Sequence, residues 1–334
     1  MMDFTKSKKI GILGDGSWAT AIIKILQDNV EKINWHIRLE ETLDSIKKYK
    51  RNPEYLSSVE LDNDKLFLSN DINEIINKSD ILIFVIPATF LKSTLGEYKY
   101  NLKNKLVVSA IKGIIPDENL TIAEFLNKYY EINYEAIGVI AGPCHAEEVA
   151  MERLSYLTIA FKNTKYAEFI SSIFNSHFIK TNISDDIFGT QYSAVLKNIF
   201  AVASGICHGL GYGDNFIAVL ISNAIQEIKR FVDAVHPISR DIKSSAYLGD
   251  LLVTAYSQFS RNRTFGNMIG KGYSVKSAQL EMNMIAEGYY AVKSIYEINK
   301  KYNVEMPITT AVYNILYEKI SPTIEIKILS ENLK

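Results

Sequence analysis

The stretch that most constrains this chain is Lys9-Ile10-Gly11-Ile12-Leu13, followed at once by Gly14-Asp15-Gly16-Ser17-Trp18-Ala19. Strand-forming residues run straight into G-x-G-x-x-A, and Ala19, Ile22, Ile23 and Leu26 then recur at helical spacing. Glycine at 14 permits a tight turn, and glycine at 16 lets the backbone approach a pyrophosphate. A small residue at 19 lets the helix close on the strand. The unpaired N–H groups and dipole at the helix start favour an anion. The pattern points to a dinucleotide site of nicotinamide or flavin type. A strand–helix turn without a ligand is the plainer alternative.

The rest of the first half agrees with such a unit. Residues 32–38 alternate as a strand does, and 81–86 form the unbroken apolar run of a parallel strand covered on both faces. Residues 105–110, 135–141, 157–161 and 178–183 read as further strands, with helical patterns at 71–77 and 118–130 between them. This βαβ rhythm predicts an α/β N-terminal domain of Rossmann type, a doubly wound and mainly parallel sheet. After about residue 185 the rhythm stops. Helical patterns at 186–207, 214–235, 244–257, 276–298 and 307–319 predict an all-α C-terminal domain. The expected division is 1–185 for dinucleotide binding and 186–334 for substrate and catalysis. The chain's 334 residues suffice for both.

Charge and cysteine content narrow the function. A net charge of −1 gives no global basic field for nucleic acid or anionic lipid, so any phosphate is handled locally. Cys144 and Cys207 form neither a disulfide framework nor a metal pattern, which suits a reducing cytoplasm. No His/Cys/Asp cluster suggests a metal. The N-terminus lacks the apolar core of a signal peptide. The apolar stretch 194–221 is broken by Lys197, His208 and Asp214, which argues against membrane insertion.

Ligands of doubly wound sheets sit beyond the carboxyl ends of the strands. There the sequence places Pro87-Ala88-Thr89, then Ile111-Lys112-Gly113, then Gly142-Pro143-Cys144-His145-Ala146-Glu147. Lys112 can bind an anionic or carbonyl substrate, or be a solvated loop lysine. Lys197, with Asn198, lies in the apolar stretch AVLKNIFAVASG. It must either snorkel to water or occupy a polar cavity, where a lysine loses basicity and suits acid/base work. Asp250, in Gly249-Asp250-Leu251, can orient an ammonium or cap a helix. Ser260-Arg261-Asn262-Arg263 can cradle a phosphate at a helix start, or form an exposed basic turn.

In order and spacing, these pieces resemble the bacterial NAD(P)-dependent glycerol-3-phosphate dehydrogenase family. The resemblance rests on GDGSWATA (14–21), VIPA (85–88), IKG (111–113), AGPCHAEE (141–148), AVLKNIFAVASG (194–205), GYGDN (211–215), GDL (249–251), SRNRTFG (260–266), EGY (287–289) and EMPI (305–308). It implies reversible reduction of dihydroxyacetone phosphate to sn-glycerol 3-phosphate, supplying cytoplasmic phospholipid synthesis. Lys197 would be the general acid/base, with Lys112 and Asp250 beside it. Gly142, Cys144, Lys112, Asn198, Asp250, Ser260, Arg261 and Asn262 would line the substrate site. Gly14, Gly16, Ser17, Trp18, Lys112, Ala146, Arg261, Ile285 and Glu287 would contact the dinucleotide.

Arg38 ends the second strand pattern with Glu40 and Glu41 after it. A basic residue there suits a 2′-phosphate, so NADPH is favoured over NADH. Three departures from the family pattern stand out. Asp15 places a carboxylate near a pyrophosphate, which is tolerable only if its side chain turns away. Cys144 replaces a hydroxyl residue, and Ala194 replaces a glycine. Two other readings stay open: a related two-domain dehydrogenase acting on hydroxy acids or sugar acids, and a dinucleotide sensor without turnover. A homodimer through the helical domain is compatible with the sequence.

Overall fold

The structure, a computed structural model, describes residues 8–96, 102–282 and 286–334. These form two compact units. One contains the chain up to Ile111 together with Ile122–Ile187; the other contains Lys112–Thr121 together with Phe188–Lys334.

The first unit is built on an eight-stranded sheet. Its strands are β1 (Ile10–Leu13), β2 (Ile33–His36), β3 (Leu66–Ser69), β4 (Ile81–Phe84), β5 (Leu106–Ser109), β8 (Ile137–Ala141), β9 (Ser155–Phe161) and β10 (Ile179–Ser184). They lie in the order β10-β9-β8-β5-β4-β1-β2-β3. Every pair is parallel except β8 with β9. The run β3-β2-β1-β4-β5 is the strand order of a dinucleotide-binding half-sheet, with the order reversing beside β1. Helices α1 (Ser17–Gln27), α2 (Glu40–Tyr49), α3 (Ile72–Lys78), α4 (Ala88–Gly96), α5 (Ile122–Tyr130), α6 (Ala146–Ala150) and α7 (Thr164–Phe174) connect the strands. Strands β1, β4 and β5 are buried at all four positions, which is why they read as continuous apolar runs. Asp71 and Asn163 start α3 and α7 by accepting from the N–H groups of Asn73 and Lys165.

The second unit holds a two-stranded antiparallel hairpin, β6 (Ile114–Ile115) and β7 (Leu120–Thr121). Its helices are α8 (Ile187–Gly209), α9 (Asp214–Val235), α10 (Asp250–Tyr256), α11 (Arg261–Gly270), α12 (Val275–Glu281), α13 (Glu287–Tyr302), α14 (Pro307–Leu316) and α15 (Pro322–Asn332). Its core gathers Leu196, Ile199 and Phe200 of α8 with Phe231 of α9 and Val312 of α14. Four glycines bring α8 and α11 into backbone contact. A Cβ on Gly205 would lie 2.1 Å from the Arg263 carbonyl oxygen, and one on Gly266 would lie 2.1 Å from that of Val202. Gly209 and Gly270 repeat the arrangement one turn on, at 2.5 Å from Asn267 O and 2.3 Å from Ile206 O. Among the described residues no helix is long and apolar enough to cross a membrane.

Five sequence expectations need correction. The division is not a single cut near 185: Lys112–Thr121 belongs to the helical unit, because Ile114 is buried in the helical core. Strand β3 has no counterpart in the expected pattern, and the expected helix at 118–130 begins as strand β7. Residues 244–257 are one π-helical turn (Ser245–Gly249) followed by α10. The pattern at 276–298 is two helices, α12 and α13.

Candidate active site

In the first unit, the turn after β1 has the form that its glycines require. Gly14 has φ +127°, and a Cβ there would lie 2.6 Å from the Val85 carbonyl oxygen. Gly16 opens α1, and a Cβ on it would meet nothing within 4 Å, so its backbone is approachable. Three side chains brace the turn. Trp35 Nε1 donates to Gly14 O at 2.8 Å. Asn52, fully buried, donates through Nδ2 to Asp15 O at 3.0 Å and to Thr20 Oγ1 at 2.9 Å. Thr20 Oγ1 donates to Gly16 O at 3.1 Å. Sequence reasoning missed Trp35 and Asn52 as supports, since neither sits in a motif.

The Asp15 carboxylate is engaged locally: its Oδ2 accepts from the Arg38 backbone N–H at 3.0 Å. That bond ties the glycine turn to the segment just after β2, and the exposed Arg38 side chain has no hydrogen bond or ion pair among the described residues. Glu40 begins α2, and its carboxylate accepts from Asn70 Nδ2. Ser17 is buried at the first turn of α1, and Trp18 Nε1 is buried with no partner among the described residues. An approachable glycine turn beside an unsatisfied indole N–H fits a dinucleotide diphosphate at this helix start. At the carboxyl end of β8, Gly142 has φ +114°, Cys144 is buried, and Ala146 opens α6.

The second unit assembles the lysines. Lys197 lies on α8 with its side chain 5% exposed, and its Nζ donates to Asp250 Oδ1. Asp250, 1% exposed, is the first residue of α10, directly after the π-helical turn. Lys112 Nζ lies 3.5 Å from the other oxygen, Asp250 Oδ2, and is 20% exposed. Asn198 closes the group by donating through Nδ2 to Lys112 O at 2.9 Å. Thr254 Oγ1 donates back to Asp250 O at 2.6 Å, holding the first turn of α10. Lys197 does not snorkel. Burial lowers its pKa from the ordinary lysine value; Asp250 raises it in part, and Lys112 lowers it further.

The polar tetrad 260–263 opens a helix, as a phosphate cradle requires. Ser260 is the N-cap of α11, its Oγ accepting from Arg263 N at 3.3 Å. Arg261 is exposed in the first turn, and Asn262 Oδ1 accepts from Gly288 N at 2.9 Å. Glu287 is the first residue of α13, and Ile285 lies outside the described residues. So Lys112, Lys197, Asn198 and Asp250 meet in one cluster, with Ser260, Arg261 and Asn262 at the start of α11. Gly14, Gly16, Ser17, Trp18 and Arg38 gather around the turn of the first unit. Among the described residues no three metal-ligating side chains cluster.

A dinucleotide half-sheet with a glycine turn, and a helical unit with a buried lysine–aspartate pair, define a two-domain dehydrogenase of nicotinamide type. The family model described as NAD-dependent glycerol-3-phosphate dehydrogenase N-terminus matches residues 9–167, and its C-terminus counterpart matches 186–327. The chain is 34% identical to a Bacillus velezensis protein named glycerol-3-phosphate dehydrogenase [NAD(P)+], over 95% of this chain and 93% of that one. It is 33% identical to the Staphylococcus carnosus protein of the same name, over 96% and 97%. A solved glycerol-3-phosphate dehydrogenase from Coxiella burnetii superposes with a TM-score of 0.89 at 25% identity, covering 98% of this chain and all of that one. The chain belongs to the NAD-dependent glycerol-3-phosphate dehydrogenase family.

Proposed function

We propose that this enzyme reversibly reduces dihydroxyacetone phosphate to sn-glycerol 3-phosphate, with Lys197 as the general acid/base. The observation that carries the reading is the buried Lys197–Asp250 pair with Lys112 on the second carboxylate oxygen. A bound reduced nicotinamide supplies the hydride. As negative charge grows on the ketone oxygen, the Lys197 ammonium stabilises it and gives it a proton. A lysine of lowered pKa is a stronger acid than a solvated one, and Asp250 fixes its direction. In the reverse direction the neutral amine takes the proton from the alcohol. Lys112 places a second cation beside the reacting oxygen. Ser260, Arg261 and Asn262, with the N–H groups at the start of α11, hold the substrate phosphate and so orient the carbon that receives hydride.

The Gly14–Gly16 turn, Ser17 and Trp18 would hold the dinucleotide diphosphate, with Ala146, Ile285 and Glu287 as further contacts. The unpaired Arg38 side chain, beside a Glu40 already engaged by Asn70, supports NADPH over NADH. Replacing Arg38 by alanine is expected to lower kcat/KM with NADPH by about tenfold or more and to leave NADH within about threefold. An unchanged NADPH/NADH ratio would remove Arg38 from the account. The biological role that fits is cytoplasmic supply of glycerol 3-phosphate to phospholipid synthesis.

The test is oxidation of NADPH or NADH, followed by its absorbance, across a substrate panel. Turnover with dihydroxyacetone phosphate, and little with hydroxy-acid or sugar-acid ketones, is expected. Preference for an acid substrate would assign the site to a different dehydrogenase. Dinucleotide binding without turnover would make it a sensor.

A further inference from the structure

Gly288 touches both halves of the substrate site, and no motif assigns it a task. Its N–H donates to Asn262 Oδ1 at 2.9 Å, a buried bond. A Cβ at the same residue would lie 2.7 Å from the carbonyl oxygen of Asn198 and 2.9 Å from Val202 Cγ2. Asn198 adjoins Lys197 and donates to Lys112 O. One glycine therefore bridges the residue beside the acid/base lysine and the asparagine at the phosphate-binding helix start.

The bond to Asn262 has a chemical consequence. An asparagine amide has one acceptor end and one donor end. With Oδ1 committed to a backbone N–H, the Nδ2 end is the one left to meet a ligand, and no described group engages it. A pure donor suits a phosphate oxygen, whereas a flipped amide would present an acceptor and repel it. The neighbouring backbone cannot yield to correct an error, because α8 and α11 already touch through Gly205 and Gly266.

We infer that Gly288 is a positioning residue for phosphorylated substrates. It fixes the Asn262 amide donor-outward and sets the reach from the phosphate cradle to Lys197. This rests on the proposed triose phosphate reaction. Gly288→Ala should push α13 away from Asn198 and break the Asn262 bond, because the obstructing atom is backbone oxygen. A misplacement on the order of 1 Å at a substrate-positioning group costs about a hundredfold in rate.

The experiment compares dihydroxyacetone phosphate with dihydroxyacetone, which lacks the phosphate, in the parent, Gly288→Ala, Asn262→Ala, the double variant and Asn262→Asp. Gly288→Ala is expected to lower kcat/KM for the phosphorylated ketone by about thirtyfold or more. The unphosphorylated ketone should change by less than about threefold, with the alkaline limb of the pH profile unmoved. Adding Gly288→Ala to Asn262→Ala should cost little more. Should Gly288→Ala fail to fold, Asn262→Asp carries the test. It keeps the acceptor for Gly288 N–H but turns the outward donor into an oxygen, so the loss should again be confined to the phosphorylated ketone. Equal losses on both ketones, additive effects in the double variant, or no loss would overturn the inference. No turnover of dihydroxyacetone phosphate by the parent would instead refute the proposed reaction.

Discussion

Glu227→Gln should change how stability depends on pH, and the structure sets both sign and size. Glu227 of α9 is fully buried and caps α14, accepting from Ile308 N and Thr309 N, each at 2.9 Å, and from Thr309 Oγ1 at 2.6 Å. Burial pushes its carboxyl from the ordinary 4.5 up to about 7, although these three donors and Arg230 pull the other way. Between those values the unfolded chain gives up the proton and the folded chain keeps it. The contribution is therefore fully present below about pH 4.5 and is lost as pH rises through about 7. A rise of that size corresponds to about 3 kcal/mol. Glutamine cannot ionise, and its NH2 end forfeits one acceptor at about 1 kcal/mol. Relative to the parent, the variant should gain about 3 kcal/mol between pH 4.5 and 8. Urea unfolding at a series of pH values measures this. The signal must be far-UV circular dichroism, because both tryptophans, Trp18 and Trp35, lie in the other unit. A difference that stays constant with pH would refute the burial argument. A variant that loses ground as pH rises would mean that the three donors prefer the ionised form strongly enough to outweigh burial.

Two further outcomes follow from the site. Asp250→Asn removes the partner that raises Lys197, so the alkaline limb of kcat/KM for ketone reduction should move to lower pH by about one unit or more; a limb that stays in place would separate Lys197 from that ionisation. Gly14→Ala places a side chain at φ +127° and a Cβ 2.6 Å from Val85 O. It should weaken NADPH binding by about tenfold or more and cost roughly 1–3 kcal/mol in stability. Titration with NADPH and urea unfolding followed by the combined emission of Trp18 and Trp35 check both, and unaltered affinity would contradict the role of the turn.

How far the sequence carried depended on how local each feature is. The β1 turn was legible because its strand, glycines and helix lie within 20 residues, and fully buried parallel strands announce themselves as apolar runs. Strand β3 was not, since it is four residues long, only half-buried at three of them, and preceded by the charged Asp62–Lys65 turn. Lys197, Lys112 and Asp250 each stood out as polar residues beside apolar or glycine-rich sequence, but single residues did not reveal their meeting. That depends on contacts 53 and 138 residues apart in the chain. The allegiance of Lys112–Thr121 was hidden for the same reason, because only the packing of Ile114 assigns it. The π-helical turn before Asp250 is likewise invisible, since its residues suit an ordinary helix equally well. Asp15 shows the opposite case: the sequence marks a charge beside the glycine turn, but the partner of its carboxylate, the Arg38 backbone N–H 23 residues away, is visible only in the fold.

The most direct test of the central claim is Lys197→Ala, assayed by NADPH oxidation with dihydroxyacetone phosphate, with NADPH affinity measured in parallel. Loss of the proton donor from a buried site should lower kcat by about 10²–10⁴-fold. Dinucleotide affinity should stay within about threefold of the parent, because the glycine turn belongs to the other unit. Turnover near the parent's rate in the variant would contradict Lys197 as the acid/base and move that role to another group.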